Sequence, residues 1–184
     1  MKGILETPRL RLRELEPCDF DALCRVLQDP VAMTAYEHAF TDEEVRAWLG
    51  RQRERYRAYG FGLWAVQRRE DGEIIGQCGL TMQERLDGGR DEQVLEVGYL
   101  FERAHWHRGY ATEAARACRD YAFERLDAQE VFSIIRDTNL ASQRVALRNG
   151  MTQRGVFVKH YYGVAMPHLV FSIERPAWEA LRGR

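Results

Sequence analysis

Residues 106–112 of the chain read Trp-His-Arg-Gly-Tyr-Ala-Thr, a basic turn built around Gly109. From there small or apolar residues recur at helical spacing, at Ala111, Ala114, Ala115, Cys118, Tyr121 and Ala122. Upstream, Leu95, Val97, Tyr99 and Phe101 alternate with Glu96, Gly98 and Leu100, the two-residue period of a strand. A strand, a basic glycine turn and a helix, in that order, suit the holding of phosphate. A helix start leaves backbone N–H groups unpaired and turns the positive end of its dipole toward the preceding loop. Gly109 admits an anion closer to the backbone than any side chain would. Taken alone, the turn also reads as a tight strand–helix junction with a solvated Arg108, so its surroundings decide.

The chain has 184 residues, 45% hydrophobic and 30% charged, the composition of an ordinary globular domain. A formal net charge of −1 removes any bulk electrostatic case for nucleic acid. No apolar run approaches the ~18 residues of a membrane span, and Met1-Lys-Gly-Ile-Leu-Glu6 lacks a signal-peptide core. A cytoplasmic protein is therefore expected. Cys18, Cys24, Cys78 and Cys118 form no C-x-x-C, and His105, His107, His160 and His168 show no ligand spacing. Reduced thiols and no metal are expected.

Several elements must position the turn. Leu10-Arg-Leu-Arg13 alternates as a first strand, and Pro17 opens a helix through Phe20, Leu23, Cys24 and Leu27. Thr41 followed by Glu44 is a capping box, starting a helix that stops at Gly60. Strands are expected over 61–67 and 73–82 around the Asp71-Gly72 turn, and Gly88-Gly89 marks the next hairpin into 95–101. After the central helix come a strand at 131–135 and a helix at 139–149, with Gly150 where a left-handed cap is wanted. Strands near 156–162 and 169–173 and a short tail with Trp178 close the chain. This order predicts one mixed α/β domain, largely antiparallel, with parallel strands flanking the central helix.

Three stretches in chain order resemble one known family. Glu6-Thr-Pro-Arg-Leu-Arg-Leu-Arg13 is similar to its opening strand, and Trp106-His-Arg-Gly-Tyr-Ala-Thr-Glu-Ala114 to its coenzyme-binding turn. Asn139-Leu-Ala-Ser-Gln-Arg-Val-Ala-Leu-Arg-Asn-Gly-Met151 resembles its N-x-x-S-x-R-V…G-[FM] helix. The family is the GNAT superfamily of acetyl-CoA-dependent N-acetyltransferases, in particular the branch that includes the ribosomal-protein amino-terminal acetyltransferases. The resemblance implies a GNAT-like α/β (α+β) fold, a single domain over 1–184. It implies a mixed, largely antiparallel sheet flanked by helices, with a parallel strand pair at the coenzyme site. It further implies acetyl-CoA as co-substrate, no metal, and a primary amine acceptor. That acceptor is a peptide or protein amino terminus or a small amine-bearing molecule, and a homodimer is compatible with such a chain. Two departures stand out. Trp106 replaces the Gln or Arg common in the superfamily, and Ala146 stands where many relatives carry a tyrosine proton donor.

Acetyl transfer requires a neutral amine, whose free pKa is near ~10 if it resembles lysine. It also requires N–H donors for the thioester oxygen, and a proton for the departing thiolate. The resemblance implies that the backbone of Tyr99, Leu100 and Phe101 lines the pantetheine arm. It assigns the pyrophosphate to Trp106, His107, Arg108, Gly109, Tyr110, Ala111 and Thr112. It sets Asn139 on the pantetheine and Ser142 beside the sulfur, where its hydroxyl protonates the thiolate. Plain sheet packing and simple helix capping are the alternative readings. Glu96, a carboxylate within a central strand, is the general-base candidate, against an alternative as the partner of an arginine. Arg144 and Arg148 are within reach of a phosphate or simply solvated. Tyr36, Glu37 and His38, between the first two helices, and Tyr161 and Tyr162 are candidates to frame the acceptor pocket. A catalytically weak acetyl-CoA-binding regulatory module is the rival function. An RNA-binding role for the 103–108 loop runs against the near-neutral charge.

Overall fold

The computed structural model describes residues 3–36, 38–84, 93–161 and 164–183. In chain order they form β1 (Leu5–Glu6), β2 (Leu10–Arg13), α1 (Phe20–Leu27), α2 (Asp42–Tyr59), β3 (Leu63–Arg68), β4 (Ile74–Glu84), β5 (Gln93–Phe101), α3 (Tyr110–Arg125), β6 (Glu130–Arg136), α4 (Leu140–Arg148), β7 (Thr152–Tyr161), β8 (Val164–Glu174) and α5 (Arg175–Arg182). Two compact units share them: Met1–Thr81 with Gly98–Cys118, and Met82–Val97 with Arg119–Arg184. β4, β5 and α3 each contribute residues to both.

In the first unit β1, β2, β3 and β4 pair antiparallel in sequence order, and the end of β5 follows β4. The expected alternation of β2 holds, with Leu10 and Leu12 fully buried. α2 starts as its capping box predicts: Thr41 accepts from the Glu44 N–H, and the Glu44 carboxylate accepts from the Thr41 N–H. It ends at Gly60, whose φ of 76° is the left-handed conformation glycine supplies. α1 and α2 bury Leu23, Leu27, Val45 and Leu49 with Leu15, Met33 and Ala65. Tyr36, Phe40, Trp48 and Leu100 pack against that cluster. A buried pair, Arg13 with Asp19, fixes the entry to α1 through two hydrogen bonds of 2.7 and 2.8 Å. On α3, Ala114, Ala115 and Cys118 are fully buried, their small side chains allowing close packing, and Cys118 meets Cys78 of β4 at 3.5 Å. Those two thiols are buried, while Cys24 is half-buried and Cys18 exposed.

In the second unit β5 runs parallel to β6, with Glu96 opposite Phe132. β8 is antiparallel to β6, and β7 to β8. Gly150 follows α4 with a φ of 82°, the left-handed stop expected of it. Three expectations shift. β7 begins at Thr152 rather than 156, because a bulge between Gln153 and Gly155 absorbs the irregular register. β8 begins at Val164 rather than 169. It tolerates Pro167 because the pairing with β6 ends one residue later, at Arg136 opposite His168. The Trp178 tail is the helix α5, opened by a proline in its first turn. Trp178 stacks on Phe123 with ring centroids 4.8 Å apart, and its indole N–H donates to Asp120 at 2.7 Å. The Gly88-Gly89 hairpin lies outside the described residues. Among the described residues no helix is long and apolar enough to cross a membrane.

Candidate active site

The turn 106–109 leads into α3 through two left-handed residues, His107 at φ 61° and Gly109 at φ 81°. The second is the conformation glycine adopts without strain. A Cβ built on Gly109 would meet the Arg9 Nη2 at 3.4 Å and nothing nearer, so the backbone stands open there. The opening, the first turn of α3 and the basic Arg108 fit an anion such as pyrophosphate. The Trp106 indole N–H donates to the Phe101 carbonyl at 2.8 Å and ties the turn to the end of β5. Arg108 and His107 are exposed, Tyr110 is buried, and Ala111 and Thr112 are half-buried on the first turn of α3.

The three β5 residues expected along a pantetheine arm are not equivalent. A Cβ on Gly76 of β4 would collide with the Leu100 carbonyl, and the Glu102 N–H donates to Ile75 at 2.9 Å. The backbone of Leu100 is therefore turned toward β4, and its side chain joins the α1–α2 cluster. Strand alternation turns the backbone groups of Tyr99 and Phe101 the other way. Phe101 gives its carbonyl to the Trp106 indole.

A contact absent from the sequence reading anchors the turn. Thr7 Oγ1 donates to Glu113 Oε1 at 2.6 Å, and the Arg9 N–H donates to the same oxygen at 3.0 Å. Arg9 Nε and Nη2 both lie 2.6 Å from Glu113 Oε2. Arg9 Nη1 donates to the Arg108 carbonyl at 2.9 Å, and the guanidinium lies 4.6 Å from the centre of the Tyr110 ring. Burial pushes the Glu113 carboxyl up, but the hydrogen bonds from Thr7 and Arg9 and the Arg9 charge together leave it below its ordinary value. The Thr-Pro-Arg start of the first motif was the available signal, legible as a strand but not as a brace.

In the second unit, Glu96 lies where the parallel pairing of β5 and β6 passes into side-chain contacts. Glu96 Oε1 accepts from the Ile134 N–H at 3.2 Å. Ser133 Oγ, in a buried residue, donates to the Val97 carbonyl at 3.0 Å. One oxygen of Glu96 is thus held by backbone, which orients the carboxylate. Ser133 was not foreseen; a lone hydroxyl in the apolar run Val131-Phe-Ser-Ile-Ile135 was its signal. Asn139 is the N-cap of α4, its Oδ1 accepting from the Ser142 N–H at 3.1 Å, so the capping reading holds for that pair. Ser142 is half-buried, and Arg144 and Arg148 are exposed on α4.

Between α1 and α2, Tyr36 packs edge-on against Phe40 and Trp48, each at 6.2 Å. Trp48 donates its indole N–H to the buried Gln77 at 3.0 Å. His38 is exposed and paired with Glu44 at 2.8 Å. Glu37 and Tyr162 lie outside the described residues, as does the side chain of Tyr161. Glu73, Glu102 and His105 lie within 4.8 Å of one another as candidate metal ligands. Both carboxylates already face arginines, however: Glu73 meets Arg68 at 2.9 Å and Glu102 meets Arg25 at 3.1 Å.

Residues 9–152 match the family model described as an acetyltransferase (GNAT) domain. The chain is 38% identical over 151 residues to the Bacillus subtilis protein YkkB, covering 82% of this chain and 86% of that one. It shares its fold with RimL, the ribosomal L7/L12 alpha-N-protein acetyltransferase solved with coenzyme A. The TM-score is 0.76 at 18% identity, covering 96% of this chain and 99% of that one. A spermidine N-acetyltransferase from Vibrio cholerae, solved with CoA and spermine, superposes with a TM-score of 0.75 at 15% identity. That match covers 94% of this chain and 99% of that one. The chain belongs to the GNAT acetyltransferase family.

Proposed function

We propose that this GNAT-family chain moves the acetyl group of acetyl-CoA directly to a primary amine, with the 106–112 turn as the seat of the pyrophosphate. The open left-handed backbone at Gly109, at the start of α3, carries this reading. Acetyl-CoA supplies the thioester carbonyl that the amine attacks. The backbone of Tyr99, Leu100 and Phe101 lines the pantetheine arm. Glu96 takes the amine proton through water, oriented by the Ile134 N–H. As the C–N bond forms and the C–S bond breaks, the Ser142 hydroxyl gives its proton to the sulfur, and solvent restores it. Arg144 and Arg148, exposed on α4, meet outer phosphates, and Asn139 sets the α4 start that presents Ser142.

For the acceptor, the Tyr36–Phe40–Trp48 walls, with His38 beside them, favour a single amine on an apolar or peptide-like body. RimL is named for a protein amino terminus and the Vibrio cholerae enzyme for spermidine, so the fold itself admits both classes. Tyr161, Tyr162 and Glu37 remain acceptor-side residues of this proposal. An acceptor screen coupled to thiol release tests it, with short peptides and amino-acid amides expected to exceed spermine in kcat/KM. Spermine in the lead overturns the aromatic-wall argument. Ala146, buried on α4 in place of a tyrosine donor, favours the second reading of a coenzyme-binding module with little turnover. Acetyl-CoA binding without thiol release for any amine would select it.

A further inference from the structure

The coenzyme turn is braced by residues roughly a hundred positions away in the chain. Glu113 occupies the first turn of α3, its N–H donating to the Gly109 carbonyl at 3.0 Å. A carboxylate there suits the helix dipole, but it opposes any anion bound at the same helix start. Both of its oxygens are engaged: Thr7 Oγ1 and the Arg9 N–H on Oε1, the Arg9 guanidinium on Oε2. The same guanidinium holds the Arg108 carbonyl at 2.9 Å, the last carbonyl before Gly109. It also lies close enough to Gly109 that an added Cβ would touch it, at 3.4 Å. An exposed ion pair alone contributes little. Arg9, half-exposed, instead closes a forked pair, a carbonyl bond and a ring contact at once, and a planar guanidinium is the one cation shaped for that.

We propose that Thr7 and Arg9 are positioning residues for acetyl-CoA: they hold the 106–112 backbone in its anion-accepting shape and turn the Glu113 charge away from the pyrophosphate. The proposal rests on the reading of that turn as the phosphate seat. It separates the Thr7-Pro-Arg9 segment from the strand that follows it, giving the segment a role in coenzyme affinity rather than in sheet pairing.

The test is calorimetry of the full chain with two probes, acetyl-CoA and acetylpantetheine, the same thioester without pyrophosphate or adenosine. Arg9→Ala is expected to weaken acetyl-CoA about tenfold and acetylpantetheine less than about twofold. Arg9→Lys, which keeps the charge and loses the fork, falls between. Equal weakening of both probes assigns Arg9 a merely structural role and overturns the proposal, as does no weakening of either. If Arg9→Ala does not fold, Thr7→Val is read the same way, with a loss of about threefold confined to acetyl-CoA. Gly109→Glu separates the two levels. Loss of acetyl-CoA there, with Arg9→Ala unaffected, overturns the brace and leaves the turn. No loss there overturns the turn itself.

Discussion

The 106–112 turn and the start of α4 are both helix beginnings with a candidate role, and they are built from different material. At the turn the functional groups are main-chain N–H groups, set by two left-handed residues and braced from outside by Thr7 and Arg9. At α4 the cap is local: Asn139 accepts from Ser142 three residues on, and the group offered to chemistry is a side-chain hydroxyl. Backbone sites tolerate changes of side chain but not of conformation. Side-chain sites invert that rule, since one atom can be removed while the helix stays capped.

Gly109→Glu strikes the backbone site hardest. It forces a side chain into φ 81° and puts a carboxylate where pyrophosphate is expected. Acetyl-CoA affinity should fall by about 100-fold or more, with the far-UV circular dichroism of the wild type retained. Unchanged affinity in the folded variant would erase the contrast by moving the anion elsewhere.

Ser142→Ala should do the opposite, lowering kcat by about 100-fold while the acetyl-CoA Kd stays within about twofold. The α4 cap survives, because it uses the Ser142 N–H and not the hydroxyl. A binding defect as large as the rate defect would make Ser142 a coenzyme contact rather than a proton donor. Next in size, Glu96→Gln should cost about tenfold in kcat/KM at neutral pH and remove the acidic limb of the rate profile. The amide oxygen can still accept from Ile134, so the β5–β6 junction is kept. A rate profile identical to wild type would leave Glu96 a purely structural carboxylate.

The smallest effect concerns stability. Glu113 is held below its ordinary value of 4.5, so the folded chain binds its proton less readily than the unfolded one. Its contribution is present above that value and is lost as pH falls through the lower folded one. Wild type should therefore melt above Glu113→Gln at pH 6, with the gap closing as the pH drops below 4 in thermal scans. A gap independent of pH would mean that the brace acts through hydrogen-bond geometry and not through charge.

Much of this arrangement was legible beforehand because it is local. Gly109 and Gly150 announce left-handed backbone, Thr41 with Glu44 announces a cap, and Leu10 with Leu12 announce an inward face; each involves neighbours within a few residues. The α5 helix was missed because its eight residues owe their order to Trp178 packing on Phe123 and Asp120, far off in the chain. The direction of the Leu100 backbone has a related origin. Alternation gives two faces, but only the neighbouring strand decides which edge its carbonyl takes.

Sequence by itself therefore determined the family resemblance, the succession of strands and helices, and the glycine turn with its helix start. These follow from short-range sterics and hydrophobic period, which act between adjacent residues. Tertiary structure alone decided that Thr7 and Arg9 engage Glu113, that Ser133 and Ile134 engage Val97 and Glu96, and that Trp106 serves the Phe101 carbonyl. Those bonds join residues from five to over a hundred positions apart. The directions of their donors and acceptors are set by packing, which no local pattern of residue types encodes.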